Sequence, residues 1–289
     1  MKVIGNNSFG EAIAKLLGAE FIKFDQRIFP DGEVCPRVID KIDDAIVIVN
    51  HMSLPIEPNK YFIETLLLLK DAIHLGARNV DVVMPYFVYS RQDKVFRDGE
   101  PLSAKFMLET FEKAGARNFF IVSSHAEREK DKLTIANIPT YNVNGFVDIG
   151  NYLKIKDFLD PVVIGPDEGA EFFAKTVADV LGCRYCLLDK ERNLDTGEIE
   201  MKCNADVNGK DVVIVDDIIS SGGTMLRAID LLKKAGAKDV YCYVVHMVSE
   251  QAMNKISPHV KEFLCSDTIE TPLSRISVIE NVAKRIGSV

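Results

Sequence analysis

The sequence predicts an α/β fold made of two similar domains, each a mostly parallel sheet flanked by helices. Short β-branched runs alternate with amphipathic stretches, the runs are apolar at consecutive residues, and the pattern of the first half returns in the second. Continuous apolar strands between helices belong to parallel sheets covered on both faces, whereas strict alternation marks a sheet with one wet face. A chain of 289 residues has room for two such domains, at roughly 100–200 residues each.

In the first half the segment "EAIAKLLGAEFIKFDQRIFPDGE" (11–33) opens with a helical pattern and leads to the strand "AIVIVN" (45–50). The run "YFIETLLLLKDAI" follows as a core helix, and a "GARNV" turn passes to the strand "NVDVVMPY" (79–86) and then to "NFFIVSSH" (118–125). The second half repeats this. After the strand "PVVIGPD" (161–167), "EFFAKTVADVLGCRYCLLDKERNLDTGE" (171–198) aligns with residues 11–33, and "DVVIVDD" (211–217) aligns with "AIVIVN". In "TMLRAIDLLKKAGAKDV", Met225, Ile229, Leu232 and Ala235 recur at helical spacing and Gly236 provides a left-handed cap before the strand "DVYCYVVH" (239–246). A duplication is the natural reading, with domains over residues 1–142 and 143–289.

A net charge of −8 and a pI near 5.3 exclude the basic face that nucleic acid requires, so any anionic substrate must be met by local positive charge. The segment "MKVIGNNSFG" lacks the charged and apolar regions of a secretory leader, and there is no run of about 18 apolar residues. A cytoplasmic protein with no membrane partner is expected. Six cysteines are too sparse for a disulfide framework, and "CRYC" has no partner pair to complete a metal site. Cys183, Cys186, Cys242 and Cys265 read as small core residues.

The two copies part company after their shared strand. The first has "NHMSLPIEPN", with no glycine; the second has "DDIISSGGT". There Asp216 and Asp217 fall at the carboxyl end of a strand, where open α/β sheets place ligands. Ser220, Ser221, Gly222, Gly223 and Thr224 lead into a helix whose first N–H groups lack partners and whose dipole favours an anion. The glycines let the main chain approach phosphate oxygens and the hydroxyls add donors. Two acids repel a phosphate, so they suit the hydroxyls of a sugar carrying it, or a metal bridging the pair. An N-capped helix after a glycine-rich turn accounts for the serines and glycines and leaves the acids unexplained.

The stretch "VVIVDDIISSGGT" resembles the fingerprint of proteins that bind 5-phosphoribosyl 1-diphosphate (PRPP), shared by phosphoribosyltransferases and ribose-phosphate diphosphokinases. The segments "RIFPDGE", "PYFVYSRQDK", "EPLSAK", "SSHAE", "GPDEGA" and "DKER", in that order, resemble the diphosphokinase family, also called PRPP synthetases. That resemblance spans almost the whole chain. It implies two phosphoribosyltransferase-like domains and transfer of the diphosphoryl group of Mg-ATP to the anomeric hydroxyl of ribose 5-phosphate, giving PRPP and AMP for nucleotide biosynthesis. Ser220 is usually an aspartate in the commoner bacterial pattern, and "SS" before His125 replaces an acid-containing segment; with the compact length, both resemble archaeal forms.

For the site residues the resemblance implies ATP binding by Phe29, Asp31, Gly32, Glu33, Arg91 and Gln92, with the aromatic ring near adenine and the arginine on phosphate. Asp216, Asp217, Ser220, Ser221, Gly222, Gly223 and Thr224, with Arg192, would bind ribose 5-phosphate. His125 and Asp167 match Mg²⁺ contacts, although Mg²⁺ prefers oxygen and a histidine suits ATP phosphates as well. Lys190 and Arg192, following a short strand, would be catalytic cations on a loop closing over the phosphates. Arg91, Lys94, Arg97 and Lys105 supply local positive charge in a mostly loop segment. A homo-oligomer is expected. A phosphoribosyltransferase would consume PRPP with a nucleobase, and the first half argues against it; a regulatory homologue without turnover would not need Lys190, Arg192, His125 and Asp167 together.

Overall fold

Two parallel sheets form where the sequence concentrates its β-branched runs. The computed structural model describes residues 1–42, 44–192, 199–203 and 205–289; the side chains of 190–192 and 199–201 lie outside that description. The chain divides into two units, Met1–Asn144 with Val278–Val289, and Gly145–Ser277.

The first unit runs β1 (Lys2–Gly5), α1 (Ser8–Leu16), β2 (Glu20–Lys23), β3 (Asp25–Ile28), β4 (Val34–Arg37), β5 (Ala45–Val49), β6 (Met52–Ser53), α2 (Pro58–His74), β7 (Asn79–Val83), α3 (Ser103–Ala114), β8 (Asn118–Val122), β9 (Lys132–Leu133) and β10 (Thr140–Val143). Its sheet has the order β2-β1-β5-β7-β8-β10-β9, parallel except for β9. The second unit contains α4 (Gly145–Leu153), β11 (Val162–Gly165), α5 (Glu171–Leu181), β12 (Arg184–Arg192), β13 (Ile199–Cys203), β14 (Asp211–Ile219), α6 (Gly223–Lys234), β15 (Asp239–Met247), α7 (Glu250–Ile256), β16 (Glu262–Ser266), β17 (Ile269–Glu270) and β18 (Ser274–Ile276). Its sheet order is β13-β12-β11-β14-β15-β16-β18, with β13 antiparallel.

The run β2-β1-β5-β7-β8-β10 therefore has the same winding as β12-β11-β14-β15-β16-β18, which is the duplication read from the sequence. Strand register makes the correspondence residue by residue. Gly5 lies beside Val49, and Ile164 lies beside Ile214, which sets Gly165 at the level of Val215. Both glycines answer to close packing: a Cβ would come 2.9 Å from Phe21 at Gly5 and 2.6 Å from Leu187 at Gly165. Each precedes the turn into the helix that follows its strand, α1 and α5.

Met225, Ile229 and Leu232 on α6 are buried against Val212, Ile214, Val240 and Val244 of the second sheet, as the helical spacing predicts. Ala235 is exposed instead, because the helix stops at Lys234 and Ala235 is its cap. Gly236, at φ +89°, takes the left-handed turn that follows. The α2 helix buries Phe62, Thr65, Leu68, Leu69 and Ala72 and leaves Ile63 and Leu67 exposed. Among the described residues no helix is long and apolar enough to cross a membrane.

One departure concerns the end of the chain, which the sequence reading placed in a domain over 143–289. Residues 278–289 fold onto the first unit as α8 (Ile279–Gly287). Its buried residues Val282, Ala283 and Ile286 face α1, β8 and β10. Arg285 adds a cation–π contact, its guanidinium 5.0 Å from the Tyr141 ring. The repeat alignment held no copy of this helix, so its destination was not legible there. Ile286→Ala should lower stability by about 2 kcal/mol, the low end for a buried Ile→Ala change near a terminus, measured by urea denaturation; an unchanged midpoint would show that α8 adds nothing to the first unit.

Candidate active site

The carboxyl end of β14 carries the densest chemistry in the second unit. The strand continues through both acids to Ile219, because Asp216, Ile218 and Ile219 pair with Val244, His246 and Met247 of β15. Successive residues of a strand point to opposite faces. Asp216, Ile218 and Ile219 line a cavity of 120 Å³ with Asp167, the loop Ser220–Thr224 and Met225, and Asp217 is not part of its lining. Asp217 is 5% exposed and its Oδ1 accepts from the N–H of Ile218 at 2.9 Å. Asp216 Oδ1 accepts from the N–H of Asp217 at 3.0 Å. The structure thus brings Asp167, Asp216 and the five loop residues together around one space, with Asp217 as support behind Asp216.

Gly222 has a left-handed backbone, φ +75°, immediately before α6. A Cβ there would sit 3.2 Å from Ile256 and 3.3 Å from Ala252, so both conformation and space demand glycine. At Gly223 the nearest atom to a built Cβ is Ser221 Oγ, at 3.8 Å. The loop leaves its main chain open at the start of a 12-residue helix, as an anion cradle requires. Gly222→Ala should destabilise the protein by about 2 kcal/mol and weaken inorganic phosphate binding in calorimetry, whereas Gly223→Ala should spare stability. Equal stability of the two variants would remove the argument from backbone conformation.

Burial, followed by the charges of Asp217 and Asp167, pushes the Asp216 carboxyl well above the ordinary carboxylate range. A divalent cation would reverse both penalties, and the oxygen donors suit Mg²⁺, which is typically held by one or two carboxylates with waters and substrate phosphates. Among the described residues no group of three or more His, Cys, Asp or Glu side chains is placed to hold a metal ion. Because folded Asp216 keeps a proton that the unfolded chain loses above about pH 4, the cation-free protein should lose stability as pH rises from there. Added Mg²⁺ should bind more tightly over the same rise, with proton release, until Asp216 is ionised. Calorimetry in buffers of different ionisation heat tests this; affinity independent of pH would contradict it.

In the first unit the same register positions carry different chemistry. Asn7 stands where Asp167 does, and Asn50 and His51 stand where Asp216 and Asp217 do. These residues bond to one another and to the fold: Asn7 Nδ2 is 2.7 Å from His51 Nδ1, and Asn6 Nδ2 donates to the His51 carbonyl at 2.9 Å. His51 is 4% exposed and stacks on Phe9 with ring centroids 4.3 Å apart. The acids of one copy are amides and an imidazole in the other, and the glycine loop is absent.

The remaining first-unit candidates gather around the start of α2. Arg91 and Gln92 line a cavity of 470 Å³ with Ile56, Pro58, Asn59, Tyr86, Val88 and Tyr89. Asp31, Gly32 and Glu33 line a second, of 550 Å³, which shares Pro58 and Asn59. Gln92 Nε2 donates to Glu100 Oε2 at 3.1 Å, fixing the loop that also bears Arg97. Lys105 lies on α3, where it pairs with Glu109 at 3.8 Å. Phe29 lines neither cavity; Arg27 covers its ring at 4.5 Å. Asn59, Tyr86 and Tyr89 were not singled out in the sequence. Tyr89 donates to Asn59 and has φ +64°, a strained backbone beside the cavity.

His125 does not end β8, which stops at Val122, but lies in the loop that follows, where Ser123 and Glu127 have positive φ, 41° and 45°. Arg128 Nη2 lies 3.4 Å from His125 Nδ1 and its Nε donates to the His125 carbonyl at 3.3 Å. A guanidinium only donates, which assigns the imidazole hydrogen to Nε2. Lys190 and Arg192 do not follow the strand; they belong to it, at the level of Met201 and Ile199, because β13 pairs with β12 as far as Arg192. Their side chains, and residues 193–198 of the expected catalytic loop, lie outside the described residues.

Comparison with known proteins agrees with this division. Residues 1–115 match the model of the N-terminal domain of ribose phosphate pyrophosphokinase, and residues 148–274 match the phosphoribosyl transferase domain. The chain is 39% identical over 270 residues to the ribose-phosphate pyrophosphokinase of Thermococcus kodakarensis, covering 92% of this chain and 93% of that protein. It is 33% identical over 298 residues to that of Sulfolobus acidocaldarius, covering 99% and 100%. The phosphoribosylpyrophosphate synthetase of Mycobacterium smegmatis has a similar fold, with a TM-score of 0.84 at 24% identity over 99% of this chain and 97% of that one.

Proposed function

Because the chain belongs to the ribose-phosphate pyrophosphokinase family, we propose that it transfers the diphosphoryl group of Mg-ATP to the anomeric hydroxyl of ribose 5-phosphate, giving PRPP and AMP. The observation that carries this reading is the single cavity in which Asp167 and Asp216 face the open loop Ser220–Thr224 at the start of α6.

The loop and helix terminus hold the 5-phosphate, with hydroxyls of Ser220, Ser221 and Thr224 and main-chain N–H groups as donors. Asp216, supported by Asp217, takes the ribose hydroxyls. Those contacts fix the sugar so that its anomeric hydroxyl attacks the β-phosphorus in line, a task of positioning and charge neutralisation. Asp167 and Asp216 would hold Mg²⁺, which when bound shields the phosphate charge. Ser220 donates where an aspartate would repel, which suits a phosphate.

Arg91 and Gln92 bind ATP in the 470 Å³ cavity of the first unit, with Phe29, Asp31, Gly32 and Glu33 on the hairpin beside it. His125, with its hydrogen on Nε2, serves as a donor to a phosphate oxygen, a better match to its chemistry than metal ligation. Lys190 and Arg192 supply positive charge to the transferring group. Action as a cytoplasmic homo-oligomer belongs to the same reading.

The decisive assay follows AMP release with each substrate omitted in turn. AMP formation that requires both ribose 5-phosphate and Mg-ATP supports the proposal. Consumption of PRPP with a nucleobase would replace it by a phosphoribosyltransferase, and nucleotide binding without turnover by a regulatory protein. Lys190→Ala should lose about 3 kcal/mol of transition-state stabilisation, roughly a hundredfold in kcat, with unchanged thermal unfolding. Full turnover in that variant would remove Lys190 from the mechanism.

A further inference from the structure

The hairpin that bears Phe29–Glu33 has little of its own to hold it. Among the described residues strands β3 and β4 pair only with each other, as a separate two-stranded sheet. All four residues of β3 are exposed, and β4 alternates between half-buried and exposed. Two-stranded ribbons are marginal in water, so the place of this one is set by what it docks on. One side of β4 lies against α2. From β3, the Gln26 side chain reaches into the unit and donates from Nε2 to Glu64 on α2.

Glu64 is an unusual residue to find there, since it is 0% exposed within an otherwise apolar helix face. Its second oxygen accepts from Asn50 Nδ2 at 3.2 Å, and the same amide donates to Thr65 Oγ1 at 3.0 Å. Thr65 in turn donates to the Tyr61 carbonyl at 2.6 Å, closing the network on α2. Lys60, one turn away, is engaged with Glu57 at 2.8 Å. Asn50 Oδ1 is buried with no hydrogen-bond partner among the described residues. Leaving a carboxyl and an amide oxygen in the core costs stability, and an apolar pair would avoid that cost. Burial raises the Glu64 carboxyl above its usual range, opposed by the Gln26 and Asn50 hydrogen bonds. Asn50 is also the register counterpart of Asp216. The position that faces the ligand cavity in the second unit is turned inward here, to a helix carboxyl.

We propose that Glu64 is a positioning residue: held by Asn50 on the sheet and Thr65 on its own helix, it anchors Gln26 and so fixes the hairpin that presents Phe29, Asp31, Gly32 and Glu33. Its bearing on ATP rests on the functional reading above; its bearing on the hairpin does not. The test therefore has two readouts, amide hydrogen exchange of residues 25–37 and the steady-state constants for each substrate. Glu64→Leu and Gln26→Leu should each accelerate exchange across 25–37 about tenfold while β1, β5 and β7 stay protected. Both should raise KM for ATP about tenfold with kcat within about twofold and KM for ribose 5-phosphate unchanged. Glu64→Gln keeps an acceptor for Gln26 and should restore both readouts to near wild type.

If Glu64→Leu does not fold, Gln26→Leu decides alone, because Gln26 lies on an exposed strand. Unchanged exchange over 25–37 in Gln26→Leu overturns the anchor. So does a Glu64→Gln variant as impaired as Glu64→Leu, or a loss spread evenly over kcat and both KM values. Absence of AMP formation by the wild-type protein would overturn the functional reading instead, and exchange would still decide the anchor.

Discussion

Burial of Asp216 beside two other carboxylates is the constraint on which the second unit is organised. A group of acids is poor company for a phosphate, yet the cradle opens on the same space, and the raised pKa of Asp216 eases the repulsion. The conflict is resolved by dividing the work along the strand. Asp216 lines the cavity, Asp217 does not, and the main chain between Asp216 and Ile218 is tied by the carboxylates themselves. One cavity is thereby lined both by acids and by the start of α6, groups of the kind that suit hydroxyls and a phosphate. A cation bound beside Asp216 would favour its ionised form, so cation binding there would be coupled to release of a proton.

The duplication shows how much of this depends on side chains and how little on the fold. Both units place a glycine at the end of one strand and a polar pair at the end of the next, at the same register. In the first unit Asn7 and His51 bond to each other, Asn50 donates to Glu64, and the loop that follows has no glycine to open its backbone. The same topology thus supports a charged cavity in one copy and a hydrogen-bonded plug in the other. Fold alone does not assign function; the site does.

Much of this was legible in the sequence for physical reasons. Apolar runs such as "AIVIVN" and "DVVIVDD" mark strands buried on both faces, as in the mostly parallel sheets of both units. The loop Ser220–Thr224 was legible because glycine at 222 answers a backbone need that no other residue meets cheaply. Three things were not. Which of two adjacent acids faces a cavity depends on whether the strand continues past them, and that is decided by Ile218 and Ile219 pairing with β15. The return of α8 depends on its apolar face finding α1, β8 and β10, a long-range match with no local signal. Lys190 and Arg192 looked like residues leaving a strand, because a polar sequence does not reveal that a second strand waits to pair with it.

Glu64 illustrates the same limit from the other side. In "YFIETLLLLKDAI" it has the look of a solvated charge on an apolar helix, and Thr65 beside it has the look of a neutral surface residue. Helical spacing places both on the buried face with Phe62, Leu68 and Leu69, so the periodicity was present but the polar residues masked it. A buried carboxylate is tolerated where hydrogen bonds replace water, and here they come from two separate elements, β3 and the end of β5. That requirement makes the helix sensitive to both. A hydrophobe at 64 would pack the core more simply but would read neither the amide of Asn50 nor that of Gln26, and an exposed ribbon would lose the only directional contact that its β3 strand makes with α2 among the described residues.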